Sequence, residues 1–309
     1  MSAPIELPGW ADSFLVPLAS VTAAFLVAGL VVASIGESPW HATTILLKGS
    51  LGTLEGLGFT LYYATNFIFT GLAVAVASHA GLFNIGGEGQ ATMAGLGAAL
   101  MALAMPSLPG VLLAPLCILA AAGFGAAYGF IPGWLQATRG SHVVITTIMF
   151  NFLAAILVVY LLVGVMGKSG SMAPETPEFV AGARLPAMHE MLAFIGVTIP
   201  KTPLNMAFLL ALAAAFCVWL LIHRSRLGYA IRTVGASPRA AAYAGMSPQA
   251  ITMMAMSISG ALAGGMAVNE ILGVQHRLLL EFAAGYGFVG IAVALMGRAH
   301  PVGIILASI

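Results

Sequence analysis

Seven long apolar stretches, at 14–35, 59–79, 90–106, 109–131, 143–166, 205–222 and 249–271, alternate with polar intervals along this chain, and each is nearly free of charge. A helix that crosses a bilayer takes about 20 apolar residues, so each stretch predicts a span. Two further runs are shorter. Residues 286–297 stop at Arg298, and at about 1.5 Å per residue they cover only about 18 Å, which predicts a half-helix or re-entrant segment buried in protein. The run Pro301–Ile309 ends in mid-hydrophobic sequence, which reads as a chain cut short. Residues 41–57 mix apolar and polar positions and fit an interfacial helix on the outer face. The pattern predicts an all-α, polytopic membrane protein with about eight to ten transmembrane helices, half-helices included, in one transmembrane domain over residues 1–309.

Composition agrees with the pattern. Hydrophobic residues are 60% of the chain and charged residues 7%, roughly a third of the charge of a soluble domain. The net charge of +1 comes without a basic stripe, which excludes a nucleic-acid partner and leaves the lipid bilayer as the surroundings. Charge also sets orientation. The intervals 132–142 and 223–248 and the turn at Arg298 hold six arginines and no acidic residue, whereas Lys168, Arg184 and Lys201 in 167–204 are balanced by Glu175, Glu178 and Glu190. The positive-inside rule puts the first group in the cytoplasm and 167–204 outside. Glu6 and Asp12 stand where a signal peptide carries basic residues, so the first apolar run reads as a retained helix. Cys117 and Cys217 lie within apolar stretches and read as packed thiols.

Familiar catalytic patterns are missing. There is no G-x-x-x-x-G-K-[ST] phosphate loop, no H-E-x-x-H or C-x-x-C metal pattern, and no G-x-S-x-G. We therefore expect no catalytic residue, no metal and no resident cofactor. What remains is a sparse polar set: Asn66 in the second span, Thr146, Thr147 and Asn151 in the fifth, and Asn269 and Glu270 at the end of the seventh. Thr147 and Asn151 share a helix face at i, i+4. Such residues serve either as hydrogen bonds between helices or as a path for an uncharged polar solute. Glu88 and Gln90 follow a double-glycine break, where a carboxylate suits the first turn of a helix or shapes the inner mouth of that path. Glycine-rich breaks at 81–90 and 285–290 echo each other. Paired breaks mark some transport paths and, equally, close helix packing. An ion-coupled carrier usually shows carboxylates in mid-membrane; here the one near a span interior, Glu270, reads as close to an end.

Between His223 and Pro248 lies a basic island with Arg224, Arg226, Arg232 and Arg239. Ser237-Pro238 reads as an N-cap followed by proline at the first helical position, and Gly245 as the residue past the helix end. This predicts a short, alanine-rich helix outside the membrane, which either fixes topology or is gripped by a partner through small residues such as Ala241 and Ala244.

Four segments, 78–90 (SHAGLFNIGGEGQ), 140–152 (GSHVVITTIMFNF), 226–247 (RLGYAIRTVGASPRAAAYAGMS) and 285–303 (GYGFVGIAVALMGRAHPVG), resemble permease subunits of ATP-binding-cassette importers related to branched-chain amino acid and ribose permeases. Their spelling is most similar to the nucleoside (basic-membrane-protein-type) subgroup. The resemblance implies ATPase subunits that hydrolyse ATP, a second permease subunit and an extracytoplasmic substrate-binding lipoprotein as partners, in a bacterial inner membrane. It also implies a coupling helix for the ATPase at residues 237–245, carried by Ser237, Pro238, Arg239, Ala241, Ala244 and Gly245. Members of the family continue for a helix or two past PVG, so by resemblance either the sequence is truncated or the assembled pore is incomplete. The solute expected is a nucleoside or purine-like compound, with simple sugars and branched-chain amino acids as alternatives.

Overall fold

A computed structural model describes residues 15–168 and 170–309; the acidic pair Glu6 and Asp12 lies outside the described residues. Where the sequence reads as one domain, the contacts fall into two compact units, Met1–Leu57 and Gly58–Ile309. In the first, α1 (Val16–Ser34) and α2 (Pro39–Leu51) meet at a bend of 116°. Gly36 takes a left-handed turn between them, and Ser38 starts α2 by accepting from the His41 amide. No residue of α2 is buried.

The second unit is a helix bundle. It holds α3 (Leu54–His79, from Gly58 on), α4 (Gly87–Ala104), α5 (Gly110–Arg139), α6 (Val143–Gly164), α7 (Met188–Phe194), α8 (Ala207–Arg224), α9 (Arg226–Ala236), α10 (Pro238–Tyr243), α11 (Pro248–Ala267), α12 (Tyr286–Met296) and α13 (Pro301–Ala307). Among the described residues there is no strand, only the isolated bridges Glu175–Leu279 and Ala187–Asn205. Among the described residues five helices are long and apolar enough to cross a membrane, seven if each bent pair is one span. With the half-helices counted in, this agrees with the expected all-α, polytopic architecture. Two expected runs are not full spans. The 90–106 stretch folds as α4, whose glycines and polar residues lower its hydropathy and whose packing is internal, and 286–309 folds as α12 and α13, bent by 118° into one broken unit.

The α5–α11 seam is the centre of the bundle. Gly125 and Gly260 face each other backbone to backbone, with Ala121 against Gly264 beside them. Small residues of this kind let two helices approach closely where apolar burial gives no net drive in lipid. At 30 residues, α5 is about 45 Å long and outruns a hydrocarbon layer of about 30 Å. It absorbs Pro115 and Pro132 and ends only at the left-handed Gly140, so most of the interval 132–142 is helix rather than loop.

The charge asymmetry has a structural counterpart. One end gathers His79, Arg139, α9, α10 and Ala299; the Gly81 backbone lies against Gly235, and His79 Nε2 is 3.2 Å from the Ala299 carbonyl. At the opposite end, Gly110 packs on Gly182. There the interval 170–206 is an ordered layer rather than a free loop. Phe179 is fully buried, and the Thr176, Phe179 and Leu185 amides donate to Leu278, His276 and Leu272 carbonyls at 2.7–3.1 Å. Glu175 pairs with Arg277 at 3.1 Å. Cys117 is buried; Cys217 is exposed on α8, which corrects its reading as a packed thiol.

Candidate functional site

The two glycine-rich breaks meet. After α3, Gly81 (φ 73°) closes a Schellman-type end, with the Leu82 amide donating to Ala77 O at 3.0 Å. The Asn84 side chain accepts from the Gly86 amide at 2.8 Å, turning the chain into α4. The second break enters α12 at Gly285 (φ 83°). Glu88 joins them: its Oε1 accepts from the Gly285 amide and its Oε2 from the Gly287 amide, both at 2.8 Å. The carboxylate thus caps not only its own helix but the start of α12, where orphan amides and the positive end of the dipole favour it. Gly287 is required by the approach, because a Cβ there would sit 2.7 Å from Glu88 Cα.

The meeting point is deep. Gly290 packs on Thr70, nine residues or about 13 Å along α3 from His79, and Gly287 lies about 4.5 Å further from that basic end. Glu88 is therefore about 18 Å inside, near half of a hydrocarbon core of about 30 Å, rather than at an inner mouth. From here α4 runs toward the far end and α12 toward the basic end.

A cleft of about 360 Å³ opens beside this junction, between α4, α6, the turn 279–285 and the first turn of α12. Glu88, Thr92 and Asn151 line it together with Glu281, Phe152, Phe282 and Phe288. Its floor is irregular backbone, with positive φ at Glu281, Ala284 and Gly285. Non-helical chain at this depth is tolerated where it lines a cavity or is buried in protein.

The expected path residues divide on inspection. Asn151 lines the cleft and also ties the first break, accepting from Gly89 N at 2.9 Å and donating to Ile85 O at 3.0 Å. Thr147 is fully buried and accepts from Ile85 N at 3.3 Å, so it is a tie and not a lining. Thr146 returns its hydroxyl to His142 O and is absent from the cleft. Gln90 is buried in a closed set with Asn84 and Ser259, which corrects its placement at a mouth. Asn66 is likewise corrected. It is fully buried, donates to Glu270 at 2.6 Å and accepts from Asn269 at 2.8 Å. Glu270 itself is not near an exposed end but buried in a π-helical turn, Val268–Gln275, that follows α11, and it also takes the Tyr62 hydroxyl at 2.6 Å. Two carboxylates lie inside the bundle where the sequence predicts one, close to an end, and this removes that argument against an ion-coupled carrier.

At the basic end, Ser237 Oγ accepts from the Ala240 amide at 3.3 Å, α10 stops at Tyr243, and Gly245 is left-handed at φ 78°. Pro238, Arg239, Ala240, Ala242, Tyr243 and Ala244 are exposed. Ala241 is fully buried, so it is not part of the face a partner meets. The preceding helix α9 escaped the sequence reading; its Ser225 cap and the buried spacing Gly228, Ile231, Val234 were the available signal.

The family described as branched-chain amino acid transport system, permease component, matches residues 56–309. The chain belongs to that family. This permease is 34% identical over 304 residues to a glucose ABC transporter permease of Haloferax volcanii, covering 98% of the chain and 79% of the relative. It is 35% identical over 295 residues to a guanosine ABC transporter permease of Bacillus subtilis (95% and 82% covered), and 32% over 296 residues to a nucleoside ABC transporter permease of Lactococcus lactis (96% and 81%). In the last two organisms a second permease of the same description also matches, at 26%. No solved structure matches the permease. It is thus a multi-pass membrane subunit of an ABC transporter rather than an enzyme, and the coupled-carrier alternative falls.

Proposed function

We propose that this permease moves nucleosides or related hydroxyl-bearing neutral solutes into the cytoplasm, through the cleft between α4, α6 and α12. The observation that carries the reading is the lining of that cleft: phenylalanines at 152, 282 and 288 beside Glu88, Thr92 and Asn151. Aromatic rings suit a planar base, and the polar atoms suit hydroxyls. A volume of about 360 Å³ falls in the range of about 300–1,000 Å³ common for small-molecule sites. The nucleoside and guanosine permeases among the relatives support this solute class. A simple sugar is the second reading, favoured by the glucose permease at comparable identity. Neither solute carries the carboxylate of a branched-chain amino acid, which would face two carboxylates here without a basic residue in the lining.

The partners in this reading are ATPase subunits, which hydrolyse the ATP, a second permease of different sequence, and an extracytoplasmic substrate-binding lipoprotein. Paired permeases of one description in two organisms support the second permease. The ATPase contact falls on α10, where the exposed Ala240, Ala242 and Ala244 accept close approach.

The test is uptake by proteoliposomes that hold the assembled transporter, with labelled adenosine, glucose and leucine. Adenosine uptake driven by ATP is expected; uptake of leucine alone would overturn the reading. With Ala244→Trp, hydrolysis should continue while transport falls, because bulk on α10 blocks docking. Unchanged uptake in that variant would return α10 to a topological turn.

A further inference from the structure

The polar atoms of the cleft are unequally used. A carboxylate offers about four lone-pair positions, and Glu88 spends two of them on the Gly285 and Gly287 amides. Thr92 donates its hydroxyl to Glu88 O at 2.8 Å, which leaves its oxygen as an acceptor. Asn151 has given one N–H and one lone pair to the first break. Glu281, exposed on the same rim at φ 55°, adds a second carboxylate. No lysine, arginine or histidine lines the cleft. What the lining side chains leave over is therefore almost entirely acceptor: a solute meets four or more open side-chain lone pairs and a single side-chain N–H.

We infer that Glu88 is the specificity residue of this cleft, its carboxylate accepting a hydroxyl of a vicinal diol on the solute. The inference rests on the cleft being the solute path. Each carboxylate oxygen keeps one lone pair beside its amide, and the hydroxyls of a diol are donors where the lining side chains lack them. The two backbone amides matter to this role because they fix the carboxylate plane. A side chain held at both oxygens cannot rotate away, so the remaining lone pairs keep their directions before the solute arrives, and the ordering cost of binding is reduced. The same excess of acceptors turns away anions. A phosphate or carboxylate on the solute would bring acceptors to acceptors and negative charge to Glu88 and Glu281, whereas an uncharged diol brings the missing donors. Glu88 thus has two tasks that are separable by experiment. As a clamp it holds α12 against α4 for every solute alike; as a recogniser it favours only solutes with the diol.

The experiment uses the whole transporter in proteoliposomes, with one binding protein preparation throughout, and measures uptake of adenosine and of 2′,3′-dideoxyadenosine by the native permease and by Glu88→Gln. The preference of the binding protein cancels when the adenosine-to-dideoxyadenosine ratios of the two permeases are compared. Replacing a hydrogen bond to a charged acceptor by one to a neutral amide is worth about a factor of ten, so the ratio is expected to fall by roughly tenfold in the variant, both solutes slowing as the clamp weakens and adenosine slowing further. If both solutes slow by the same factor, Glu88 is a clamp only and the assignment fails. Should Glu88→Gln not assemble, Glu88→Asp keeps the charge but withdraws the oxygens by one methylene. Its ratio must then drop in the same direction, and an unmoved ratio overturns the proposal. Failure of the native transporter to move either nucleoside overturns the functional reading itself, which is a different result from movement of both with an unchanged ratio.

Discussion

Glu88 and Glu270 lie in the same bundle, each takes two hydrogen bonds, and each is reached by residues roughly 200 positions away in the chain. Their surroundings differ in what is left unpaired. Around Glu270 the donors are side chains, Tyr62 and Asn66, and the network continues through Asn269 to Asn205, whose own groups go to Pro203 O and the Ala207 amide. Every amide in that set has a partner, and Asn66, Asn205, Asn269 and Glu270 are all at most 3% exposed. Around Glu88 the donors are backbone amides, the carboxylate stays partly exposed, and one side opens on the cleft. A polar network buried in an apolar interior, with all its amides paired, fixes how helices meet; a carboxylate that borders a cavity has capacity for a ligand.

The largest effect is expected from breaking the buried side. Glu270→Leu orphans the Tyr62 hydroxyl and one Asn66 N–H, at about 1–3 kcal/mol for each buried unpaired donor. Thermal unfolding followed by size exclusion in detergent should show a strongly destabilised permease, with no change in the solute preference of whatever still assembles. A stable variant with altered preference would mean that the Glu270 network, and not the cleft, meets the solute.

Next in size is Gly287→Val, which strikes the junction of the open side. Its side chain would enter the space of Glu88, and overpacking of this kind costs about 1–3 kcal/mol. Because the strain falls where α12 meets α4, uptake should drop well before assembly does. Equal loss of both would erase the distinction between a structural and a working carboxylate.

These two sites were not equally legible in the sequence. The breaks themselves were: glycine pairs flanked by apolar runs announce interrupted helices, and the Ser237-Pro238 cap and Gly245 stop of α10 are local chemistry that a short window contains. That the breaks touch was not, since Glu88 and Gly285 are far apart in sequence and nothing local marks their contact. The same limit explains Asn66 and Gln90. A lone amide in an apolar span looks alike whether it faces a cavity or another amide, and here both face amides. The π-helical turn that carries Glu270 inward was invisible for a related reason, because the apolar pattern of 249–271 is indifferent to one extra residue per turn. Ala241 fell on the wrong side of α10 because in a six-residue helix of small residues composition does not say which face is covered.

Asn151 sits between the two classes and sharpens the comparison at smaller scale. It lines the cleft, yet its amide is committed to Ile85 O and the Gly89 amide. Asn151→Leu removes two hydrogen bonds worth about 0.5–1.5 kcal/mol each, which predicts a partial loss in both assembly yield and uptake per assembled complex. Loss of assembly with normal uptake per complex would assign it wholly to the ties of the first break.

The smallest effect concerns His276, which lies between the two carboxylates on the stretch that leads from the π-helical turn to the rim of the cleft. Its carbonyl receives the Phe179 amide at 2.7 Å, so it anchors the 170–206 layer, and its ring Nδ1 is buried without a partner. Burial first, and then the nearby Arg184 guanidinium, hold this imidazole below its ordinary value of about 6.5. A histidine kept neutral in the folded state while its unfolded counterpart protonates contributes stability that is fully present above about pH 6.5 and is lost as pH falls toward the depressed folded value. Acidification should therefore loosen the 170–206 layer and the cleft rim before it touches the Glu270 network, whose members are neither cationic nor solvent-facing. Limited proteolysis in detergent at pH 7.5 and pH 5.5 is the measurement: cleavage within 170–206 should rise at the lower pH in the native permease, and His276→Gln, which cannot gain the charge, should flatten that dependence. A dependence on pH that survives in His276→Gln would show that this imidazole is not its origin.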